Sequence, residues 1–328
     1  MGVVSAIDYN PQSSEIHSES TNTISSPMDF QILFEQFING ITQGSVYALL
    51  ALGFTMIFGT LRMVTFAHGE VYMIGAYVGF EIIRLLHPSF FLALAVALAA
   101  TALLGVIIEI LAFHFLRDAP HATSLLVTIG VSILLVNLAQ LIWGPETQAL
   151  PYSLLDKMDY GEIVIGGVYI TFLQMAVLGV TVLLMAMLYI LINKTKLGMV
   201  IRATAQDYEA AYAMGVGVNA IFMVAFAIGS MLGGVAGVLV GVYYNLFYPT
   251  MGGLYGLKAF SASVVGGLTS LPGAVVAGLL IGLIETFSVE FGASNFRHIF
   301  SFLFMILILL FRPGGLFGGR ELIQARGD

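Results

Sequence analysis

The sequence predicts an all-α polytopic membrane protein with about eight transmembrane helices and one short broken or re-entrant segment. Residues 210–257 contain no Asp, Glu, Lys or Arg, and this stretch exceeds the roughly 20 apolar residues that one bilayer crossing needs. Composition agrees, because 59% of the residues are hydrophobic and 9% are charged, whereas soluble domains contain about 25% charged residues. Uncharged runs recur at 36–61, 121–145, 166–193, 259–284 and 298–311.

The two ends of the chain differ from this membrane domain. Residues 1–29 are rich in Ser, Thr and Asn and carry no Lys or Arg, so they lack the basic start and apolar stretch of a secretory signal. Too polar to build a core, they are predicted to be a disordered N-terminal tail. Residues 30–318 form the transmembrane domain, and 319–328 a cytoplasmic C-terminal tail.

Lys and Arg predict the orientation of the spans, since cytoplasmic loops carry the excess of positive charge. If the span 32–60 runs inward, the alternation continues through 69–86, 89–116, 123–143, 172–193 and 219–245. A short segment near 256–268, a helix near 273–290 and a last span near 297–311 complete the chain. The cytoplasmic cations are then Arg62, Arg117, Lys194, Lys196, Arg202, Arg312, Arg320 and Arg326, and the acidic loop 145–171 lies outside.

A row of glycines marks one of these spans. Gly229, Gly233, Gly237 and Gly241 follow one another at intervals of four residues. Small residues on one helix face let the backbone of another helix approach closely. We therefore expect this helix to cross others at short distance.

Two segments depart from the pattern of long apolar helices. In 65–77, His68 and Glu70 adjoin a short apolar stretch; Glu70 is either a carboxylate at a helix N-terminus or a group facing substrate or a gate. In 258–273, Gly266, Gly267 and Pro272 interrupt the helix. That segment is either a discontinuous helix beside a substrate path or an ordinary helix-turn-helix hairpin at the cytoplasmic surface.

One sizeable polar cytoplasmic segment, 194–218, lies between two spans. Asp207 and Glu209 near its start favour one short helix over 203–216, and Gly215 suits its C-terminal end. A small helix that lies parallel to the membrane surface offers a face to which a partner protein can bind. Arg202 either contacts that partner or serves the positive-inside bias.

Several functions are excluded by missing motifs. The sequence has no Cys and its six His form no paired ligand motif, so no metal site is predicted. It also has no cluster of basic residues, so no nucleic-acid binding is predicted. It also lacks HExxH, GxSxG and the phosphate-cradling GxxxxGK[ST] loop. We therefore predict no catalytic residues and no cofactor bound by this chain.

Four separated blocks of the chain resemble a known family. Glu209-Ala210-Ala211 followed by Gly215 resembles the EAA loop of ABC importer permeases, the segment that docks into the ATPase subunit. Blocks 37–59, 66–77, 197–215 and 258–273 are similar to the LivH branch of branched-chain amino acid permeases, so the resemblance covers 32–318. The Ile-x-Leu-Pro ending of the wider EAA pattern is missing after Gly215, which separates this chain from maltose-type permeases.

The resemblance implies a permease in the bacterial cytoplasmic (inner) membrane. Its partners would be a second, LivM-like permease, two ABC ATPases that hold ATP and Mg, and an external substrate-binding protein. The resemblance implies that Arg202, Asp207, Glu209, Ala210, Ala211 and Gly215 form the coupling site for the ATPase.

The predicted cargo is a branched-chain or other neutral amino acid; urea or a short amide is the alternative cargo. Polar side chains in the spans either line the path or only bond neighbouring helices. They are Asn39, Gln43, Ser45, Thr55, Glu70, Asn137, Gln140, Tyr243 and Asn245. A rival hypothesis, a secondary transporter or channel, would rely on the intramembrane carboxylates Glu109 and Glu285.

Overall fold

The computed structural model describes residues 30–86, 89–116, 120–155, 161–165, 168–292 and 294–318. Both predicted tails, 1–29 and 319–328, lie outside the described residues. Within those residues the α-helices are α1 (Phe30–Leu61), α2 (Ala67–Glu81), α3 (Phe90–Ile108), α4 (His121–Trp143), α5 (Tyr152–Leu155), α6 (Phe172–Lys194), α7 (Lys196–Gln206), α8 (Tyr208–Ala213), α9 (Val218–Tyr244), α10 (Met251–Gly266), α11 (Leu271–Glu290) and α12 (Arg297–Phe311).

The remaining elements are short. Two strands, β1 (Glu162–Ile165) and β2 (Val168–Thr171), pair antiparallel in the loop before α6. A π-helical turn, Ile82–Leu86, extends α2, and a second one, Glu109–Phe113, extends α3 into the 3₁₀ turn His114–Leu116. A 3₁₀ turn, Ser294–Phe296, precedes α12. The chain is therefore almost wholly helical.

The predicted class, an all-α polytopic membrane protein, is confirmed. In the described part of the chain, 7 helices are long and apolar enough to cross a membrane. The eighth predicted span is α2, which has 15 residues and reaches Leu86 through its π-helical turn. The short ninth segment is α10, with 16 residues.

The centre of the molecule is built from helices that touch backbone to backbone. On α1, an added Cβ at Gly44 would lie 2.8 Å from Leu279 Cα of α11. Gly53 of α1 faces Gly229 of α9, and a Cβ added to Gly229 would lie 2.7 Å from the Gly53 carbonyl oxygen. Because water does not drive helices together in lipid, close packing of this kind supplies the attraction.

The prediction from the glycine row is confirmed at two of its four positions. Gly229 lies against the backbone of α1, and Gly237 lies against the backbone of α2 at the Tyr72 carbonyl. The other two glycines face the rings of His68 and Phe247 instead. The missing side chains of the glycine row therefore make room for the backbones of two helices and for two aromatic rings.

The segment 258–273 is a hairpin of two helices. Helix α10 continues through Lys258 and ends at Gly266, and Gly267 takes a φ of +102° in the turn. Helix α11 follows, capped by the Ser270 side chain with Pro272 in its first turn. The glycines and the proline thus sit at the junction of α10 and α11.

Contacts between the loops agree with the predicted sidedness. Arg62 Nη2, after α1, donates to the Ala205 carbonyl of α7 at 3.4 Å. The segment after α12 pairs with the end of α10, where the amides of Leu316 and Phe317 donate to the carbonyls of Val265 and Gly266. The ends predicted to share the cytoplasmic side are therefore neighbours in space.

The close crossing of α2 and α9 makes a testable prediction. Gly237→Leu should lower the melting temperature of the purified protein, because overpacking of a tight contact costs about 1–3 kcal/mol. Gly130→Leu in α4 is the control, since a Cβ there meets no heavy atom within 4 Å. Thermal unfolding followed by size-exclusion fluorescence checks this, and equal melting temperatures for both variants would contradict the tight crossing.

Candidate functional site

The predicted coupling segment folds as two helices. We expected one helix over 203–216, but Asp207 adopts extended angles, φ −152° and ψ 104°, between α7 and α8. Its Oδ1 accepts a hydrogen bond from the Ala210 amide at 2.9 Å and so caps α8. Gly215 has a φ of +85°, which suits the predicted helix end.

Helix α8 exposes most of its surface. Tyr212 is 74% exposed, Met214 after the helix is 85% exposed, and Glu209 and Ala210 are also exposed. Ala211 alone in this helix is buried. A surface that combines large apolar groups with a carboxylate is typical of a docking face.

The two helices are anchored to different spans. The Arg202 guanidinium donates to the Ile192 carbonyl, and Gly198 lies against the backbone of the last turn of α6. Ala211 packs with Val218 and Phe222 of α9. A force on α8 therefore reaches both α6 and α9.

A polar cluster joins the opposite ends of α1, α6 and α9. Gln174 Nε2 donates to Asn39 Oδ1 at 2.8 Å and to the Tyr243 hydroxyl at 3.2 Å. The Tyr244 hydroxyl donates to Gln43 Oε1. Three predicted path residues, Asn39, Gln43 and Tyr243, are thus brought together, and the sequence analysis overlooked Gln174.

Asn245 lies close to this cluster but holds a loop. It occupies the left-handed region at φ 49°, and its side chain bonds the amide and carbonyl of Leu150 at 2.7 and 3.1 Å. Beside it, Gln148 and Phe247 exchange two backbone hydrogen bonds. We call these four hydrogen bonds the outer clasp.

The remaining predicted path residues are dispersed. Ser45 donates to the Thr42 carbonyl of its own helix at 2.8 Å, and Asn137 donates to the Ile133 carbonyl of its own helix at 2.7 Å. Thr55 is buried on α1 near the other end of the molecule, and Gln140 is half-buried on α4. None of these four lies in the Asn39 cluster.

Glu70 contacts two other helices. It lies in the first turn of α2 and is buried, and Oε1 accepts a hydrogen bond from Ser132 of α4 at 3.0 Å. Among the described residues, no donor lies within hydrogen-bonding distance of Oε2. One carboxylate oxygen thus ties α2 to α4, and the other faces Gly252 of α10.

The sequence analysis missed a buried ion pair. Lys258 Nζ lies 2.7 Å from Glu285 Oε1 and 2.8 Å from Oε2, and Tyr47 donates to Oε2 at 2.7 Å. Ser301 of α12 also donates to this carboxylate, and Arg297 Nη2 lies 3.7 Å from it. The signal in the sequence was a single lysine in an otherwise uncharged run, which in a membrane needs a partner.

This ion pair weighs against the rival hypothesis. Glu285 is fully buried and compensated by a cation, whereas a carboxylate that binds a coupling ion needs to be accessible from water. The other candidate, Glu109, is buried in the π-helical turn after α3.

A cavity of about 900 Å³ opens at the predicted cytoplasmic side. It lies between α1, α6, α7 and the start of α11. Thr55 and Arg202 both line it.

Comparison with known proteins identifies the family. A family model described as the permease component of the branched-chain amino acid transport system matches residues 36–310. The chain belongs to this permease family.

Curated relatives are similar in sequence over nearly the whole permease. It is 39% identical to the high-affinity branched-chain amino acid transport permease BraD of Pseudomonas aeruginosa, over 88% of this chain and 96% of that protein. It is 37% identical to LivH of Escherichia coli K12, over 89% of this chain and 97% of that protein. Among solved structures, PsaBC from Streptococcus pneumoniae in complex with Fab matches with a TM-score of 0.43 and 14% identity, over 90% of this chain and 96% of that one. That structural likeness is too weak to add to the assignment.

The permease is thus a multi-pass transport protein of the membrane, as predicted. The resemblance to LivH-type permeases read from its four sequence blocks is confirmed by these relatives.

The ion pair makes the second prediction. Lys258→Met should destabilise the permease by about 3–5 kcal/mol, because Glu285 loses its buried cation and keeps only the more distant, partly exposed Arg297. In the double variant with Glu285→Gln, the loss should be smaller than the sum of the two single losses by about 1–3 kcal/mol.

Unfolding of the purified permease in mixed micelles measures these losses. Lys194→Met, at the exposed end of α6, is the control and should change stability by less than about 0.5 kcal/mol. Additive losses at the two positions would contradict the coupling.

Proposed function

We propose that this permease carries branched-chain or other neutral amino acids into the cytoplasm as one membrane subunit of an ATP-driven importer. It would sit in the cytoplasmic membrane of a bacterium with a second, LivM-like permease and an external binding protein. The observation that carries the proposal is the 39% identity over 96% of the length of a permease named for branched-chain amino acid transport.

Energy would come from partner subunits. The sequence has no phosphate-cradling loop, so ATP and Mg belong on two separate ATPases. The chain itself would form and break no covalent bond. Its task is to change which side of the membrane the path faces.

Helices α7 and α8 are the proposed docking site for the ATPase. Met214, Tyr212 and Glu209 offer an exposed face, and Gly215 ends it with a turn. Movement of α8 would pull α6 through the bond from Arg202 to the Ile192 carbonyl, and α9 through the packing of Ala211. Two spans would then tilt together when nucleotide closes the ATPases.

The polar cluster at the other end of these spans is the proposed entrance. Asn39, Gln43 and Tyr243 offer amide and hydroxyl groups that can bond the ammonium and carboxylate of a zwitterion. Gln43 Nε2 is buried and has no hydrogen-bond partner among the described residues. The same α6 that carries Gln174 at this end carries the coupling helices at its other end, which supports a mechanical link between them.

Uptake of radiolabelled leucine tests the cargo. A strain from which this permease is deleted should lose most of its high-affinity leucine uptake, and a plasmid copy should restore it. Excess unlabelled isoleucine should compete, whereas excess urea should not. Unchanged uptake in the deletion strain, or competition by urea alone, would contradict the proposed cargo.

Charge reversal on α8 tests the coupling. Glu209→Arg and Gly215→Arg should reduce uptake to background while the permease stays inserted, because each places a bulky cation on the proposed docking face. Glu162→Arg, an exposed carboxylate on the predicted outer loop, is the matched control and should transport normally.

Co-purification separates loss of docking from loss of folding. Both variants should retain the second permease and lose the ATPases. Normal uptake in both variants would remove the coupling role from this segment.

A further inference from the structure

The large cavity spans the depth of one bilayer leaflet. Along α6 its wall runs from Val182 to Asn193, which is roughly 16 Å at a helical rise of 1.5 Å per residue. Half of the hydrocarbon core measures about 15 Å. Along α1 the wall ends at Thr60, just before the cytoplasmic Arg62.

The chemistry of the walls changes from the deep end to the mouth. Toward the deep end the lining is mostly apolar, with Leu52 and Met56 from α1 and Val182 from α6, and it includes the hydroxyl of Thr55. At the mouth it is polar, with Asn193, Arg202 and Ser270. Ser270 caps α11, so the positive end of that helix dipole also lies at the mouth.

We infer that this cavity binds an acyl chain of an anionic phospholipid from the cytoplasmic leaflet, with the headgroup phosphate held by Arg202 at the mouth. An arginine presents five donors, and in this side chain one Nη donates to the Ile192 carbonyl while the residue stays exposed. The remaining donors would bind the phosphate. Lys194 and Lys196, both exposed, add positive charge to the same surface.

An amino acid cargo fits the cavity less well. A zwitterion needs an acceptor for its ammonium group as well as a donor for its carboxylate. Among the residues that line the cavity, all in the described part of the chain, Arg202 is the one charged side chain, and most of the others are apolar. The volume of about 900 Å³ and the long aliphatic wall suit a lipid chain instead.

The position of the lipid gives it a role. Its headgroup would lie against α7, between the cytoplasmic end of α6 and the start of α11. It would therefore stabilise the contact between α7 and α6, the joint through which α8 moves α6. Loss of the lipid should leave that joint unsupported.

Gly59 offers a way to close the cavity without disturbing the fold. It lies in α1 on the cavity wall, and an added Cβ meets no heavy atom within 4 Å. Gly59→Leu fills the space, and leucine is the better helix former. Gly179→Leu on α6 is the matched control, because a Cβ there also meets no heavy atom within 4 Å and Gly179 does not line the cavity.

The experiment measures lipid bound by the whole transporter. The complex, purified with its partner subunits, is placed in nanodiscs of equal parts phosphatidylglycerol and phosphatidylcholine. It is then released into detergent, and native mass spectrometry counts the retained lipids. Wild type and Gly179→Leu should retain phosphatidylglycerol in preference, and Gly59→Leu should lose that lipid several-fold. Arg202→Gln should abolish the preference between headgroups.

Three results would overturn the inference. Equal retention by Gly59→Leu and Gly179→Leu would show that no lipid chain occupies the cavity, and an unchanged headgroup preference in Arg202→Gln would remove the phosphate contact. Displacement of the lipid by excess leucine would assign the cavity to cargo. Because the readout is bound lipid, its outcome is independent of whether leucine uptake defines the cargo.

Discussion

Glycines at the crossings of α1, α2, α9, α10 and α11 set how close these helices come to one another. Gly44 lies against α11, Gly53 against Gly229, and Gly75 of α2 against Gly234 of α9. In lipid the attraction between helices comes from contact itself, which falls off steeply as a gap opens. The buried core, the ion pair and the polar cluster all depend on this spacing.

Tight packing also explains how charged groups can exist inside this protein. Lys258 is 1% exposed and Glu285 is 0% exposed, so neither is solvated by water. Each is compensated by the other, and Tyr47 and Ser301 add donors from α1 and α12. The site thereby joins four helices, including α12, whose own surface is mostly exposed in this chain.

The sequence predicted the helices better than their partners. Uncharged runs located the spans, Gly215 marked the C-terminal end of α8, and the glycine row predicted close crossings. Pairing of Lys258 with Glu285 was not predicted, because it depends on how two separate helices are rotated about their axes. Helices that are apolar on all sides carry no stripe that reveals this rotation.

The same limit applies to the candidate path. Nine polar residues were chosen by type and depth. The structure brings Asn39 and Tyr243 to Gln174, which was not chosen, and Gln43 bonds the neighbouring Tyr244. Asn137 met the same criteria, yet it bonds its own helix on an exposed face. The break at Asp207 also escaped prediction, since alanine-rich sequence on both sides favours one continuous helix.

The outer clasp ties the loop after α4 to the segment that joins α9 to α10. Asn245 and Phe247 hold Leu150 and Gln148 through four hydrogen bonds. The two segments of this rim should therefore move together. A force on this rim would act on the C-terminal end of α9, whose N-terminal end is packed against α8. One continuous helix thus connects this rim to α8 at the opposite end of the protein.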